Sequence, residues 1–170
     1  MGWVLKFSDI KHRLLMITGI SVVIVGLLLL FDVLPFRQTV AFTRDGVILD
    51  STTHELVSEA SLRFEGKMDF NFFLEESYTG SVTVKNLTSG EQMHIMEVKL
   101  KHQRAGDAWV LGGGYVVNAE PRVLFINTDK AMDCFWMLLD DPGFVGQEFV
   151  SHAKTADEAM TVKTELINGN

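Results

Sequence analysis

The sequence predicts a mainly β domain that follows one N-terminal transmembrane helix, and three observations support this. First, residues 14–31 form a stretch of 18 residues without a charge. Second, many later segments alternate apolar and polar residues with a period of two, which is typical of half-buried strands. Third, a capping box at Thr155–Glu158 predicts a short helix near the end of the chain.

The chain of 170 residues is long enough for one ordinary domain and an anchor. We predict a cytoplasmic head at 1–13, a transmembrane helix at 14–36 and an extracytoplasmic β domain at 37–170, with its helix at about 155–168. A helix over 14–36 is about 34 Å long, which matches a hydrocarbon core of about 30 Å. The lipid bilayer is therefore the first expected partner, through residues 14–36.

The charges before this segment predict its orientation. Lys6, Lys11 and Arg13 precede the apolar stretch, and Asp9 opposes them. Because positively charged flanks stay in the cytoplasm, we expect the rest of the chain outside it, at the cell membrane. A cleaved signal peptide is the alternative, with a loose cleavage site at 39–41. Its apolar core usually has only about 7 to 15 residues, which favours a retained signal-anchor.

Turn residues divide the first half of the domain. Asp45-Gly46 lies between 39–43 and 47–49 and predicts a β-hairpin. Gly66 predicts a turn between two alternating strands, 60–65 and 68–74. The domain is therefore expected to open with short, antiparallel strands.

The middle of the domain continues this pattern. After a polar loop at 86–90, Met96, Val98 and Leu100 share the parity of inward residues. A turn follows at 105–107. Gly112–Gly114 then predicts a bulge, a sharp bend or the close approach of another backbone.

Two later segments, 123–126 and 134–139, are continuously apolar and are expected to be central strands buried on both faces. Short turns between regularly spaced strands predict an antiparallel meander, which closes into a barrel or a sandwich. The lone Cys134 excludes an internal disulfide and is expected to belong to the core.

The charge of the domain bears on its partners. From Arg37 onward there are 12 Lys and Arg residues against 20 Asp and Glu residues, a net charge of −8. An acidic surface repels phosphate backbones, so nucleic acid is not an expected partner. A protein, a peptide or a cell-wall component fits better.

The sequence predicts no catalytic, cofactor-binding or metal site and no cofactor. His54-Glu55 resembles the start of a zinc-protease motif, but the second histidine is replaced by Ser58. His94 and His102 share the inward parity of Met96, Val98 and Leu100, but they would lie about 26 Å apart along the strand, too far to bind one metal ion. Two acidic pairs are interpreted as solvated turn charges: Glu75-Glu76 and Asp140-Asp141.

Three segments show a resemblance to a protein family: Phe64–Met68, Tyr78–Val84 and Ala153–Met160. In these the chain resembles small membrane proteins of Gram-positive bacteria that have one N-terminal anchor and a β-rich outer domain. The resemblance implies a bacterial source and a membrane location, and it supplies no site residue.

Two functions are expected from these features. The first is a tethered interaction or sensing module that binds a protein, a peptide or a cell-wall component. The alternative is a tethered hydrolase whose site is assembled from residues that are distant in the sequence. The residues named for it are His152, Asp129, Cys134 and Ser151.

Overall fold

The computed structural model describes residues 2–30, 36–70, 75–117 and 119–169. It divides the chain into two compact units, one with the N-terminal helix and one with the β domain from Arg37 onward. Residues 31–35 of the predicted membrane segment lie outside the described residues, as do residues 71–74 of the strand predicted at 68–74.

The first unit contains helix α1, Gly2–Leu30. The helix begins well before the apolar stretch, so the predicted head is helical as well. Within it, Ile10–Leu28 has a mean hydropathy of 1.7 and none of its residues is buried. It is therefore long and apolar enough to cross a membrane, as the sequence predicts.

The second unit is a closed barrel of eight antiparallel strands that follow one another in sequence order. This confirms the mainly β fold class and, of the two predicted closures, selects the barrel. The strands are β1 Phe36–Asp50, β2 Leu56–Phe70, β3 Glu76–Asn86, β4 Gln92–Ala105, β5 Ala108–Val117, β6 Glu120–Thr128, β7 Phe135–Leu139 and β8 Gln147–Ser151.

Two predicted turns are wrong. Gly46 lies inside β1 and Gly66 lies inside β2, so each predicted strand pair is one long strand. A Cβ at Gly46 would lie 2.1 Å from the carbonyl oxygen of Val150, and one at Gly66 would lie 2.3 Å from that of Thr79. These glycines therefore do not form turns. They allow the backbone of the neighbouring strand to approach closely, which is a common reason for glycine inside a strand.

A β-bulge changes the predicted faces of β4. Gly80 pairs with Val98 and Val82 pairs with Ile95, so one residue of β3 faces two residues of β4. The extra residue moves Met96 to the outer face, where it is 70% exposed. The prediction that Met96 points inward is therefore wrong, while Val98 and Leu100 are buried as predicted.

The three glycines of β5 produce no register shift toward either neighbouring strand. Gly113 instead lies against β4, since a Cβ there would be 1.9 Å from the carbonyl oxygen of Lys99. Of the three predicted explanations, the close approach of another backbone applies.

Aromatic rings fill the barrel interior. Phe64 stacks on Phe42 at 5.0 Å between centroids and contacts Phe135 and Tyr78, each at 5.3 Å. Phe64, Phe135 and Tyr78 are at most 1% exposed. An eight-stranded barrel is just wide enough for side chains to fill it, and here they do so.

Helix α2, Ala156–Asn168, follows the barrel and confirms the predicted C-terminal helix. Glu158 N–H donates to the hydroxyl of Thr155, and the Glu158 carboxylate accepts from the backbone N–H of Lys154. Gly169 ends the helix in the left-handed conformation. The helix packs on the outer wall over Val47, Leu49, Val150 and Ala153, with Trp136 at the edge of this contact.

Candidate binding site in the barrel wall

The pairing between β6 and β7 is short. In the described residues, only Ile126, Asn127 and Thr128 of β6 pair with β7, whereas β6 pairs with β5 over nine residues. The segment Glu120–Phe125 therefore has a paired strand on one side only. Backbone groups of a strand point alternately to its two sides, so some of them face this unpaired edge.

A cleft of about 300 Å³ opens at this edge. We call it the wall cleft, because outward and inward side chains of the wall line it together. Its lining is largely apolar and includes Met93, Tyr115, Val123, Leu124, Phe125, Trp136 and Leu138.

The outer face beside the wall cleft is apolar and exposed. Four residues form this apolar patch: Val116 (67% exposed), Val123 (64%), Phe125 (58%) and Leu138 (56%). Gly112 allows Phe125 to lie flat on the wall, since a Cβ there would be 3.1 Å from the ring. A contiguous apolar surface on a folded domain typically marks an interaction site.

The apolar patch corrects the prediction for 123–126 and 134–139. These segments are strands β6 and β7, but their burial alternates and one face is open. The site was missed from the sequence because both faces of these strands were expected to be buried. A sign of the open face was available in the sequence. An antiparallel meander needs a second layer to bury both of its faces, and one short predicted helix is the only element that could form this layer.

Helix α2 covers the neighbouring part of the same outer face. Val150 and Trp136 are paired across β8 and β7 and lie under or beside the helix. Leu138 is two residues further along β7, outside this contact, and is exposed. The apolar patch is therefore the uncovered continuation of the surface on which α2 packs.

An ion pair joins β6 to the chain after β7 at the end of the cleft. Arg122 donates to the carbonyl oxygen of Asp140 at 2.7 Å, and its guanidinium lies 3.2 Å from the Asp140 carboxylate. Tyr115, the register partner of Arg122, is buried beside them. Burial and the nearby Asp140 carboxylate raise the pKa of Tyr115, and Arg122 opposes this change. The Tyr115 hydroxyl thus stays neutral and can donate a hydrogen bond.

The rim of the wall cleft is acidic. Asp140 is 78% exposed at its side chain, and Glu120 is exposed at the start of β6. Asp141 follows in the turn after β7. Arg122 also lies at this rim, and Asp140 already pairs with it. The charge left over is negative, like that of the whole domain.

A buried carboxylate fixes the edge of the site that lies nearest α2. Glu148 is fully buried and lies 2.8 Å from Nζ of Lys163. His54 Nδ1 lies 3.5 Å from the same carboxylate. Buried charges of this kind need a partner, and Lys163 supplies it from the helix.

The residues named for a hydrolase meet at one end of the barrel but have structural partners there. Ser151 is fully buried, and its hydroxyl accepts a hydrogen bond of 2.7 Å from Phe135 N–H. The carboxylate of Asp129 accepts from the backbone N–H of Asp133 at 2.6 Å and of Cys134 at 3.0 Å. These bonds hold the β6–β7 turn.

The other two hydrolase residues are no better placed. Burial and the nearby carboxylate of Asp129 raise the pKa of Cys134, which keeps the thiol protonated and unreactive. Cys134 is half-buried rather than fully buried as predicted. His152 Nε2 lies 3.2 Å from the carbonyl oxygen of Asp133. No triad-like pair of base and nucleophile joins these residues in the described structure.

The remaining histidines are dispersed. His94 lies on the outer face, 2.6 Å from the hydroxyl of Thr83, so its predicted inward parity is wrong. His102 is buried inside and lies 3.2 Å from Glu76. Across the described ranges, no three His, Cys, Asp or Glu side chains are grouped so that they could hold a metal ion.

A larger and more open crevice of about 700 Å³ lies along β1 and β2, with Arg44, Glu59, His152 and Lys154 in its lining. It is more polar than the wall cleft. The guanidinium of Arg44 already lies 2.7 Å from the carboxylate of Asp133. Arg44 is therefore occupied by a contact within the barrel.

Comparison of the chain with protein-family models, curated proteins and solved structures found no match. The resemblance to Gram-positive membrane proteins stays a prediction. Evidence for a function therefore comes from the residues of the wall cleft and the apolar patch.

Proposed function

We propose that this chain is a membrane-tethered interaction module, whose barrel stands outside the cytoplasm and binds a protein or peptide partner at the apolar patch. One observation supports the binding site above all. Val123, Phe125 and Leu138 are more than half exposed on a wall that has an unpaired strand edge. Exposing such a surface is costly in water, and covering it is favourable by about 25 cal/mol per Å².

The tether is supported by helix α1. Most side chains of the segment Ile10–Leu28 are apolar, and none of its residues is buried. Lipid would cover these side chains, and all backbone hydrogen bonds of a helix are satisfied internally. Lys11 and Arg13 support an orientation with the head in the cytoplasm.

A tethered hydrolase has less support. Its predicted residues hold turns and strand ends, and Cys134 is protonated. The wall cleft contains Tyr115, Asn127 and Asp140 as polar groups, without a histidine beside a nucleophile. Around Phe64 and Phe135 the interior of the barrel is filled by aromatic rings.

Site-specific photo-crosslinking in intact cells tests the interaction proposal. Benzoylphenylalanine replaces Phe125 in one variant and Met96 in a matched control. Met96 is 70% exposed on another part of the outer wall. We expect a protein adduct from position 125 and none from position 96. Equal adducts from both positions, or none from either, would contradict a binding site at the apolar patch.

Protease treatment of intact spheroplasts tests the orientation. We expect the barrel to be digested from outside while the N-terminal head stays protected. Protection of the barrel until the membrane is broken would place it in the cytoplasm and would overturn this part of the proposal.

A further inference from the structure

The unpaired edge of β6 determines what kind of partner fits. Some of its backbone groups face the side without a paired strand, and groups of this kind can bind another strand. Pro121 is the exception, because it has no N–H to donate. Glu120–Phe125 has six residues, which corresponds to about 20 Å of extended chain. A partner segment of similar length could pair along this edge, apart from the N–H that Pro121 lacks.

Side chains on both faces suit such a strand. On the outer face, Phe125 and Leu138 flank the gap between β6 and β7 and are exposed. Toward the inner face, the wall cleft offers Tyr115, beside which the charged side chains of Arg122 and Asp140 lie. An added strand directs alternate side chains to these two faces, so apolar residues would be bound at alternate positions and basic residues between them.

The charges beside the gap favour a basic partner segment. Asp140 lines the wall cleft, Asp141 follows it in the chain, and Glu120 begins the unpaired segment. Of these three carboxylates, Asp140 pairs with Arg122. The domain from Arg37 onward has a net charge of −8. Lysine or arginine side chains in the partner would therefore be attracted to this rim, and salt would weaken the attraction.

A second copy of this chain fits less well. Two domains of charge −8 repel each other, and two acidic rims would face one another at a shared edge. The patch has four residues, whereas a stable interface typically has about 20 to 30 residues per partner. An extended segment needs less area, because main-chain hydrogen bonds supply much of its affinity.

We propose, on the basis of the function proposed above, that the partner is an extended segment with alternating apolar and basic residues, which adds to the edge of β6 at Glu120–Phe125 as an extra strand. The segment lies antiparallel or parallel to β6 and packs its apolar side chains on Phe125 and Leu138. Its cationic side chains meet Asp140 and Asp141.

The test uses the full chain in lipid nanodiscs and a labelled probe peptide of alternating valine and lysine, about eight residues long. Binding is measured by fluorescence anisotropy. One control peptide has glutamate in place of lysine. Another keeps the side chains but has N-methyl groups on alternate backbone nitrogens, which blocks strand pairing. We expect both controls to bind at least about tenfold more weakly than the probe.

Two variants locate the binding. Phe125→Ala should weaken binding of the probe about tenfold, while Met96→Ala, which removes a similarly exposed apolar side chain elsewhere, should leave it unchanged. Hydrogen exchange should show protection of Glu120–Phe125 when the probe is bound.

The outcomes separate this inference from the proposed function. Equal binding of the N-methylated peptide, still sensitive to Phe125→Ala, would overturn strand addition and leave a binding site at the apolar patch. Insensitivity to Phe125→Ala would overturn both. Self-association of the chain that blocks binding of the probe and is lost in Phe125→Ala would identify a second copy as the occupant and overturn the inference.

Discussion

The indole N–H of Trp136 donates a hydrogen bond of 2.8 Å to the carboxylate of Glu148, which is fully buried on the outer wall. The ammonium group of Lys163 lies 2.8 Å from the same carboxylate and 5.0 Å from the centre of the Trp136 ring. This cluster joins α2 to β7 and β8. It also holds the Trp136 ring in place at the border of the wall cleft. The same contacts therefore stabilise the barrel and position one side of the proposed binding site.

Lys163→Met should destabilise the barrel strongly. The substitution leaves Glu148 buried without its cation, which typically costs about 3 to 5 kcal/mol. Chemical denaturation of the full chain in detergent measures the change. Lys99→Met is the control, because Lys99 is exposed and its loss should cost little. Equal midpoints for both variants would show that the contact with Lys163 does not hold the carboxylate.

Tyr78 should make stability depend on pH in the alkaline range. Its hydroxyl accepts from Glu65 N–H at 2.9 Å and donates to the carbonyl oxygen of Ser81 at 2.6 Å. Burial raises the pKa of Tyr78 to about 12. The unfolded chain therefore releases this proton near pH 10, before the folded chain does, and stability falls as pH rises from about 10 to about 12.

Tyr78→Phe isolates this contribution. Below about pH 10 the variant should be less stable by about 1 to 3 kcal/mol, because Glu65 N–H loses its buried acceptor. The difference between wild type and variant should shrink as pH approaches 12, and titration of Tyr115 cancels because it is common to both. A difference that stays constant across this range would refute the assignment of the pKa to Tyr78.

Local patterns in the sequence predict those elements whose stabilising contacts are also local. Thr155 and Glu158 specify the start of α2, and alternation places Leu62 and Phe64 inside. The glycines show the limit of this reasoning. Gly66 has the composition of a turn, but it is needed because Gly80 of the next strand approaches its backbone. That contact exists only after the strands pair.

The candidate site was less predictable, for a similar reason. The apolar run at 123–126 does not reveal whether a second layer covers it. Coverage depends on where α2 lies, and this helix reaches Trp136 but leaves Leu138 exposed. The short pairing of β6 with β7 is likewise a property of the closed barrel. The site is thus determined by contacts between segments that are distant in the sequence, and residue periodicity carries no information on such contacts.

Gly113 and Gly114 offer a matched pair of substitutions in one strand. A Cβ at Gly113 would lie 1.9 Å from the backbone oxygen of Lys99, whereas one at Gly114 would have its nearest contact at 3.8 Å. Gly113→Ala should therefore separate β4 from β5 and cost more than about 2 kcal/mol. Gly114→Ala should be neutral or slightly stabilising, since alanine lowers the entropy of the unfolded chain.

Thermal unfolding followed by circular dichroism compares the two glycine variants. Equal melting temperatures would contradict the close approach of the β4 backbone to Gly113. Loss of stability in Gly114→Ala alone would show that the register between β5 and β6 differs from the one described here.

Ile20→Lys tests the membrane anchor. Ile20 lies near the middle of the apolar segment Ile10–Leu28 and is exposed. A lysine at the centre of a membrane helix costs about 2.5 to 3.5 kcal/mol, so the variant should partition less into membranes. Ile20→Leu keeps the apolar surface and serves as the control. After alkaline extraction, wild type and Ile20→Leu should remain in the membrane pellet, while a measurable fraction of Ile20→Lys is released. Release of the wild-type chain under the same conditions would show that α1 does not anchor it.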